Sequence, residues 1–237
     1  MAYRRDRYAV DEDTLGNCRA ALTAWEASGQ SSEVSVGHFN LGFAHLWRGE
    51  LAAAEEHMHA ALALTERTGD VVHRSRCLTY LAIAARKGGR VDDVRRYVSR
   101  VLPVASAGQM LEYIGTARGN LAWIAWRSGD IAEVVPNGRA AVEVWQKLPI
   151  IYAFQWTALV PLVAAAVRSG EIETALGYVR TLLAPSQQRL PTEIDVALAD
   201  GVRLWDDGEH DRARAAIDRA LGYASDSADA CVPAGRC

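Results

Sequence analysis

The chain has 237 residues, half of them apolar and 23% charged, a composition that buries a sizeable core and excludes a disordered protein. Its 26 Lys and Arg stand against 29 Asp and Glu, a net charge of −3, so no overall basic excess argues for nucleic acid. Only 7 Pro, 3 Phe and 3 Met occur beside abundant Ala and Arg, and helices are predicted throughout. The opening MAYRRDRYAVDED contains no apolar run of the kind a secretory leader needs. Asp13 to Ala27 reads as a helix bearing Ala21, Leu22 and Trp25, and residues 1–33 are predicted to be a capping helix or part of a repeat.

Residues 34–224 repeat. Five similar tripeptides begin at Gly49, Gly89, Gly129, Gly170 and Gly208, separated by 40, 40, 41 and 38 residues. Eight positions before each glycine stand Leu41, Leu81, Leu121, Leu162 and then Asp200, each followed by a small residue or valine. Five positions after each glycine stand Ala54, Val94, Val134, Ala175 and Ala213. A leucine beside a small residue lets two helices approach closely, and a glycine supplies the left-handed residue that ends the first of them. Acidic Glu50, Asp130, Glu171 and Glu209 then open the second helix, while Arg48, Lys87, Arg127 and Arg168 close the first, each complementing the helix dipole. Five antiparallel helical hairpins are therefore predicted, none able to bury its apolar stripe without stacking on its neighbour.

Leu148 to Val167 runs 20 residues without a charge, the length of a membrane span. Pro149, Pro161, Gln155 and Thr157 interrupt it, and its second half keeps the repeat register, so a buried helix is the reading adopted. If one face of this hairpin stays uncovered, a homodimer through Ile150, Ile151 and Phe154 is expected. Residues 225–237 are small and polar and read as a flexible tail, within which Cys231 and Cys237 either pair or stay free. Cys18 and Cys77 complete a set of four with no zinc-like spacing.

With Leu41, Gly42, Gly49, Ala54 and Ala61 in place, the unit GHFNLGFAHLWRGELAAAEEHMHAALAL resembles the tetratricopeptide repeat. The likeness extends over residues 35–224, with units stretched to about forty residues like those in bacterial regulators of the LuxR/MalT type and in ATPase or cyclase regulators. It implies an all-α fold, an α-α superhelix or right-handed solenoid of antiparallel helix pairs, working as a scaffold for protein partners in the cytoplasm. In such a stack the first helices line a concave groove. In register these positions are Phe39, Asn40, Phe43 and Trp47, then Arg76, Tyr80, Ile83 and Lys87. The third unit adds Asn120, Trp123, Trp126 and Arg127, and the fourth Thr157, Val160, Pro161 and Arg168. Aromatic rings with amides and cations suit a peptide or an amphipathic helix, although the same rings would equally fill contacts between helices.

Catalytic and metal chemistry finds little support. His38 and His45 share a helix face at core positions, whereas His57 and His59 are splayed two apart, against a shared metal. No nucleophile elbow, zinc-protease motif or phosphate-binding loop occurs, and adjacent acids such as Glu55-Glu56 read as solvated faces. A non-enzymatic scaffold without cofactor, metal or membrane span is therefore predicted, gripping a protein or peptide in its groove. Two other readings stand beside it: the effector-binding region of a transcriptional or signalling regulator, and an enzyme with a pocket near His38, His45 and Tyr80. Charge is uneven, +6 over residues 71–102 and −6 over residues 191–229, which suits either a solvated face, head-to-tail stacking or attraction of an acidic partner. The arginines at 86, 90, 95, 96 and 100 lack a nucleic-acid reading motif.

Overall fold

The structure, a computed structural model, describes residues 7–226. Eleven helices and no strand occur among the described residues. After α1 (Glu12–Ser28) they come in pairs: α2 (Ser31–Arg48) with α3 (Leu51–Thr68), and α4 (Val71–Lys87) with α5 (Val91–Ala107). Then follow α6 (Leu111–Arg127) with α7 (Ile131–Gln146), α8 (Trp156–Arg168) with α9 (Ile172–Leu183), and α10 (Thr192–Asp206) with α11 (His210–Asp226). Each pair packs on itself and on the next, and the first helices also meet along the stack, α2 on α4, α4 on α6 and α6 on α8. The fold is an α-α superhelix whose first helices form the inner layer. The last helix runs to Asp226, and the rest of the expected tail, with Cys231 and Cys237, lies outside the described residues.

Left-handed residues punctuate the chain at half the expected interval. Gly29, Gly49, Gly69, Gly89 and Gly129 have φ between 70° and 81°, and Gln109 takes the same conformation at φ 51°. A reversal thus falls about every twenty residues, once per helix. Each lets the backbone curl back and satisfy the last carbonyls, as when Glu50 N–H bonds to the His45 carbonyl at 3.0 Å. At the helix starts, the carboxylates of Asp11, Asp70 and Asp130 accept from backbone N–H groups of Thr14, His73 and Glu133.

Packing inside a pair depends on the small residue after the leucine. A Cβ added at Gly42 would sit 3.0 Å from the Ala54 carbonyl oxygen, so the backbones of α2 and α3 approach closely there. On the outer layer, Arg90 and Arg100 of the basic run pair with Glu55 and Glu66 of the preceding unit, and Arg96 pairs with Asp93. Two of the six excess charges of residues 71–102 are therefore offset by exposed ion pairs with the preceding unit.

The rhythm breaks twice. Residues 147–155 and 184–191 join their helices without a left-handed glycine, and these two longer connections pair with each other. Gln188 N–H donates to the Ala153 carbonyl at 2.9 Å, the Gln187 side chain donates to the Tyr152 carbonyl at 3.0 Å, and Gln155 N–H donates back to Gln187 Oε1 at 3.3 Å. Buried loop backbone needs such partners, and two buried glutamines supply them. Of the uncharged 148–167 segment, only the part from Trp156 is helical, and every residue from Thr157 to Val167 is buried. The first part is loop instead. No described helix is long and apolar enough to cross a membrane.

Candidate functional site

On the inner layer the first two units are filled by the chain itself. Phe154, from the 147–155 connection, sits among the rings of Phe43, Tyr80, Tyr8 and Trp47, stacked on Trp47 at 5.0 Å and edge-on to Tyr80 at 6.0 Å. Phe39 is fully buried, Phe43 and Tyr80 are 8% exposed and Phe154 is 4% exposed. Arg76 covers Phe39 with its guanidinium 4.1 Å from the ring centre. Asn40, Arg76 and Trp47 are half-buried. Tyr152 stacks on Trp145 and shares a hydrogen bond of 2.7 Å with Thr116, which holds the connection in place. Across the same face, Arg7 donates to the Gln187 carbonyl and accepts from Arg189 N–H through its own carbonyl, so residues preceding α1 are tied to the connection before α10.

The expected groove is thus an aromatic core over its first half. The sequence offers Phe154 for a dimer face only if one side of its hairpin stays uncovered, and does not single out Tyr8. The signal was present as a gap: no glycine stands where the twenty-residue rhythm would put one near position 149 or 190.

Further along the inner layer the face opens. Asn120 and Trp123 of α6 form its floor, 1% and 2% exposed, while Trp126 and Lys87 are half-buried and Arg127 is exposed, bonding to Ser225. Lys87 lies 5.6 Å from the Trp47 ring and 5.9 Å from the Trp156 ring. Arg86, beside it, is 5% exposed and not among the residues selected from sequence.

Its burial has a cause in the neighbouring helix. Pro161 lacks the N–H that would bond four residues back, so the Thr157 carbonyl of α8 has no helical donor. Arg86 Nη1 takes that place at 2.6 Å and reaches Asn120 Oδ1 at 3.4 Å. Its guanidinium lies over two indoles, 4.9 Å from Trp156 and 5.3 Å from Trp123. Neither acceptor carries charge, and among the described residues no carboxylate pairs with Arg86. Burial alone pulls its pKa down to about 9, which leaves it cationic at neutral pH. Arg86 opens onto a pocket of about 90 Å³ that Lys87, Trp123, Trp126, Trp156 and Arg189 also line.

The geometry of paired helices turning at left-handed glycines meets a sequence comparison at its best-formed unit. A tetratricopeptide-repeat family model matches residues 40–68, from the middle of α2 to the end of α3. That unit is similar to a tetratricopeptide repeat. No curated protein matches it.

Within that unit the histidines gather more closely than their spacing suggests. His38 Nδ1 lies 3.0 Å from His57 Nδ1, and His45 stacks on His57 with centroids 5.7 Å apart. Glu50 bonds to His45, and Arg48 with His45 holds the Glu50 carboxyl below its ordinary range. Burial, with His38 and His45 adding to it, pushes the pKa of His57 down, so one neutral ring joins two helices. His59 turns away to Tyr97 at 3.1 Å. Among the described residues no group of three or more His, Cys, Asp or Glu is placed to hold a metal ion. Tyr80 packs edge-on to Phe39 and Phe43 in the aromatic core.

On the other side of the 147–155 connection, a groove of about 720 Å³ runs between α7 and α9. Ile150 and Ile151 on its rim are 51% and 60% exposed. Phe154 is a correction to the three-residue dimer face expected from sequence, because its ring completes the inner core instead.

Proposed function

We infer that this chain is a non-enzymatic scaffold that holds a protein or peptide partner of the cytoplasm against its inner layer. The observation that carries the reading is the arrangement of half-buried Trp126 and Lys87 beside exposed Arg127, over a floor of buried Asn120 and Trp123. Aromatic and basic side chains on a rigid, preorganised base are the groups that dominate protein interfaces, because little entropy is lost on ordering them. In this reading Asn40, Trp47, Arg76, Lys87, Trp126 and Arg127 touch the partner. Phe39, Phe43, Tyr80, Asn120 and Trp123 act beneath them by keeping the surface in shape.

Affinity capture with the full chain tests it. Trp126→Ala and Arg127→Glu each change an accessible side chain and are expected to weaken capture of the partner by roughly tenfold. Capture unchanged by both, with helicity intact, would remove the inner layer as the docking surface.

A further inference from the structure

The pocket at Arg86 has a chemistry of its own. Three of the side chains lining it are cationic, Arg86, Lys87 and Arg189, and among the described residues no carboxylate lines it. Burying an arginine without an acid is costly, and the Thr157 carbonyl and Asn120 amide supply dipoles but no negative charge. Both of those hydrogen bonds leave from one nitrogen, Nη1, of a side chain that has five N–H donors in a planar fork. A planar fork matches a carboxylate. Three indoles, Trp123, Trp126 and Trp156, bound the space together with the smaller apolar Val160, Leu190, Pro191 and Ile194, and Trp156 is fixed by donating its N–H to Gln188 Oε1 at 2.8 Å.

The pocket is small and is drawn from five parts of the chain: α4, α6, α8, the 184–191 connection with the start of α10, and the end of α11 at Ala224. About 90 Å³ takes a head group and part of a ring, whereas an extended peptide advances roughly 3.3 Å per residue and needs a through-channel. We propose that this pocket binds a small aromatic carboxylate, its carboxylate paired with Arg86 and Lys87 and its ring lying among Trp123, Trp126 and Trp156. Charge selects the ligand against its neutral analogues, and the indoles select a flat apolar body over an aliphatic one. The proposal does not depend on a protein partner, since the probe that tests it is a small molecule.

Benzoate titrated into the full chain by calorimetry, with the indole N–H signals followed by NMR, is the experiment. Benzoate is expected to bind with millimolar or tighter affinity and to shift the signals of Trp123, Trp126 and Trp156. Benzamide, of the same shape without the charge, is expected to bind at least about tenfold more weakly. Arg86→Gln keeps a donor for the Thr157 carbonyl while removing the charge, and is expected to abolish binding. Lys87→Gln, at a half-buried position, is expected to weaken it several-fold and decides the matter if Arg86→Gln does not fold. Equal binding of benzoate and benzamide, no binding of benzoate, or benzoate affinity unchanged in the folded variants would overturn the proposal. So would a short acidic peptide that displaces benzoate at lower concentration, which would assign the pocket to a protein segment.

Discussion

Gln109 occupies a place that glycine holds at seven other reversals. With φ at 51° its Cβ crowds the following carbonyl, a strain of about 1–2 kcal/mol for an L-residue. Gln109→Gly removes the crowding but gives the unfolded chain more freedom, which returns part of the gain. The net expectation is stabilisation by about 0.5–1 kcal/mol, read as a higher urea midpoint with unchanged slope. An unchanged or lower midpoint would show that the turn carries no strain. The same residue explains why the half-period escapes a sequence search. A forty-residue comparison aligns glycine with glycine, whereas a twenty-residue one meets glutamine at 109 and proline at 149.

A proline in α8 and an arginine in α4 form one structural device. Pro161 leaves the Thr157 carbonyl without its helical donor, and Arg86 supplies a substitute from another repeat. Arg86→Met leaves that buried acceptor unmatched and is expected to cost about 1–3 kcal/mol. Pro161→Ala restores a backbone N–H beneath the same carbonyl. In the double variant part of the loss should therefore return, giving a coupling energy of about 1 kcal/mol in a double-mutant cycle followed by chemical denaturation. Simple additivity would mean that the proline and the arginine are unrelated. Close helix approach supports the pairing. A Cβ at Gly119 would lie 3.0 Å from Thr157 backbone and side-chain atoms, so α6 and α8 have no room to slide and present a different carbonyl.

Most contacts in a helical solenoid join neighbours, and stability is then close to a sum over repeats and their interfaces. Here the 147–155 and 184–191 connections and the residues before α1 add contacts between distant units. Phe154 alone meets rings from α2, from α4 and from Tyr8. Phe154→Ala is expected to cost about 3–5 kcal/mol and to broaden thermal unfolding, because the first units then uncouple from the later ones. A loss below about 1 kcal/mol by calorimetry would show that Phe154 is an added plug rather than a part of the core.

Local rules sufficed for much of this molecule. Helix-ending glycines, acidic starts, basic ends and a leucine beside a small residue act within a few residues of each other, so the hairpins and their stacking are legible in the order of amino acids alone. The tetratricopeptide likeness rests on those same positions. What the inner layer does with its aromatic side chains is settled by chain segments more than a hundred residues apart. Phe43, Tyr80 and Trp123 have the residue types of a groove and of a core alike, and only the arrival of Phe154 and Tyr8 made the first two core. Arg86 reads as one more charge at a helix end until Pro161 of a later repeat leaves a carbonyl for it to reach. Propensity and capping are short-range, whereas burial depends on which distant segment comes to lie on top.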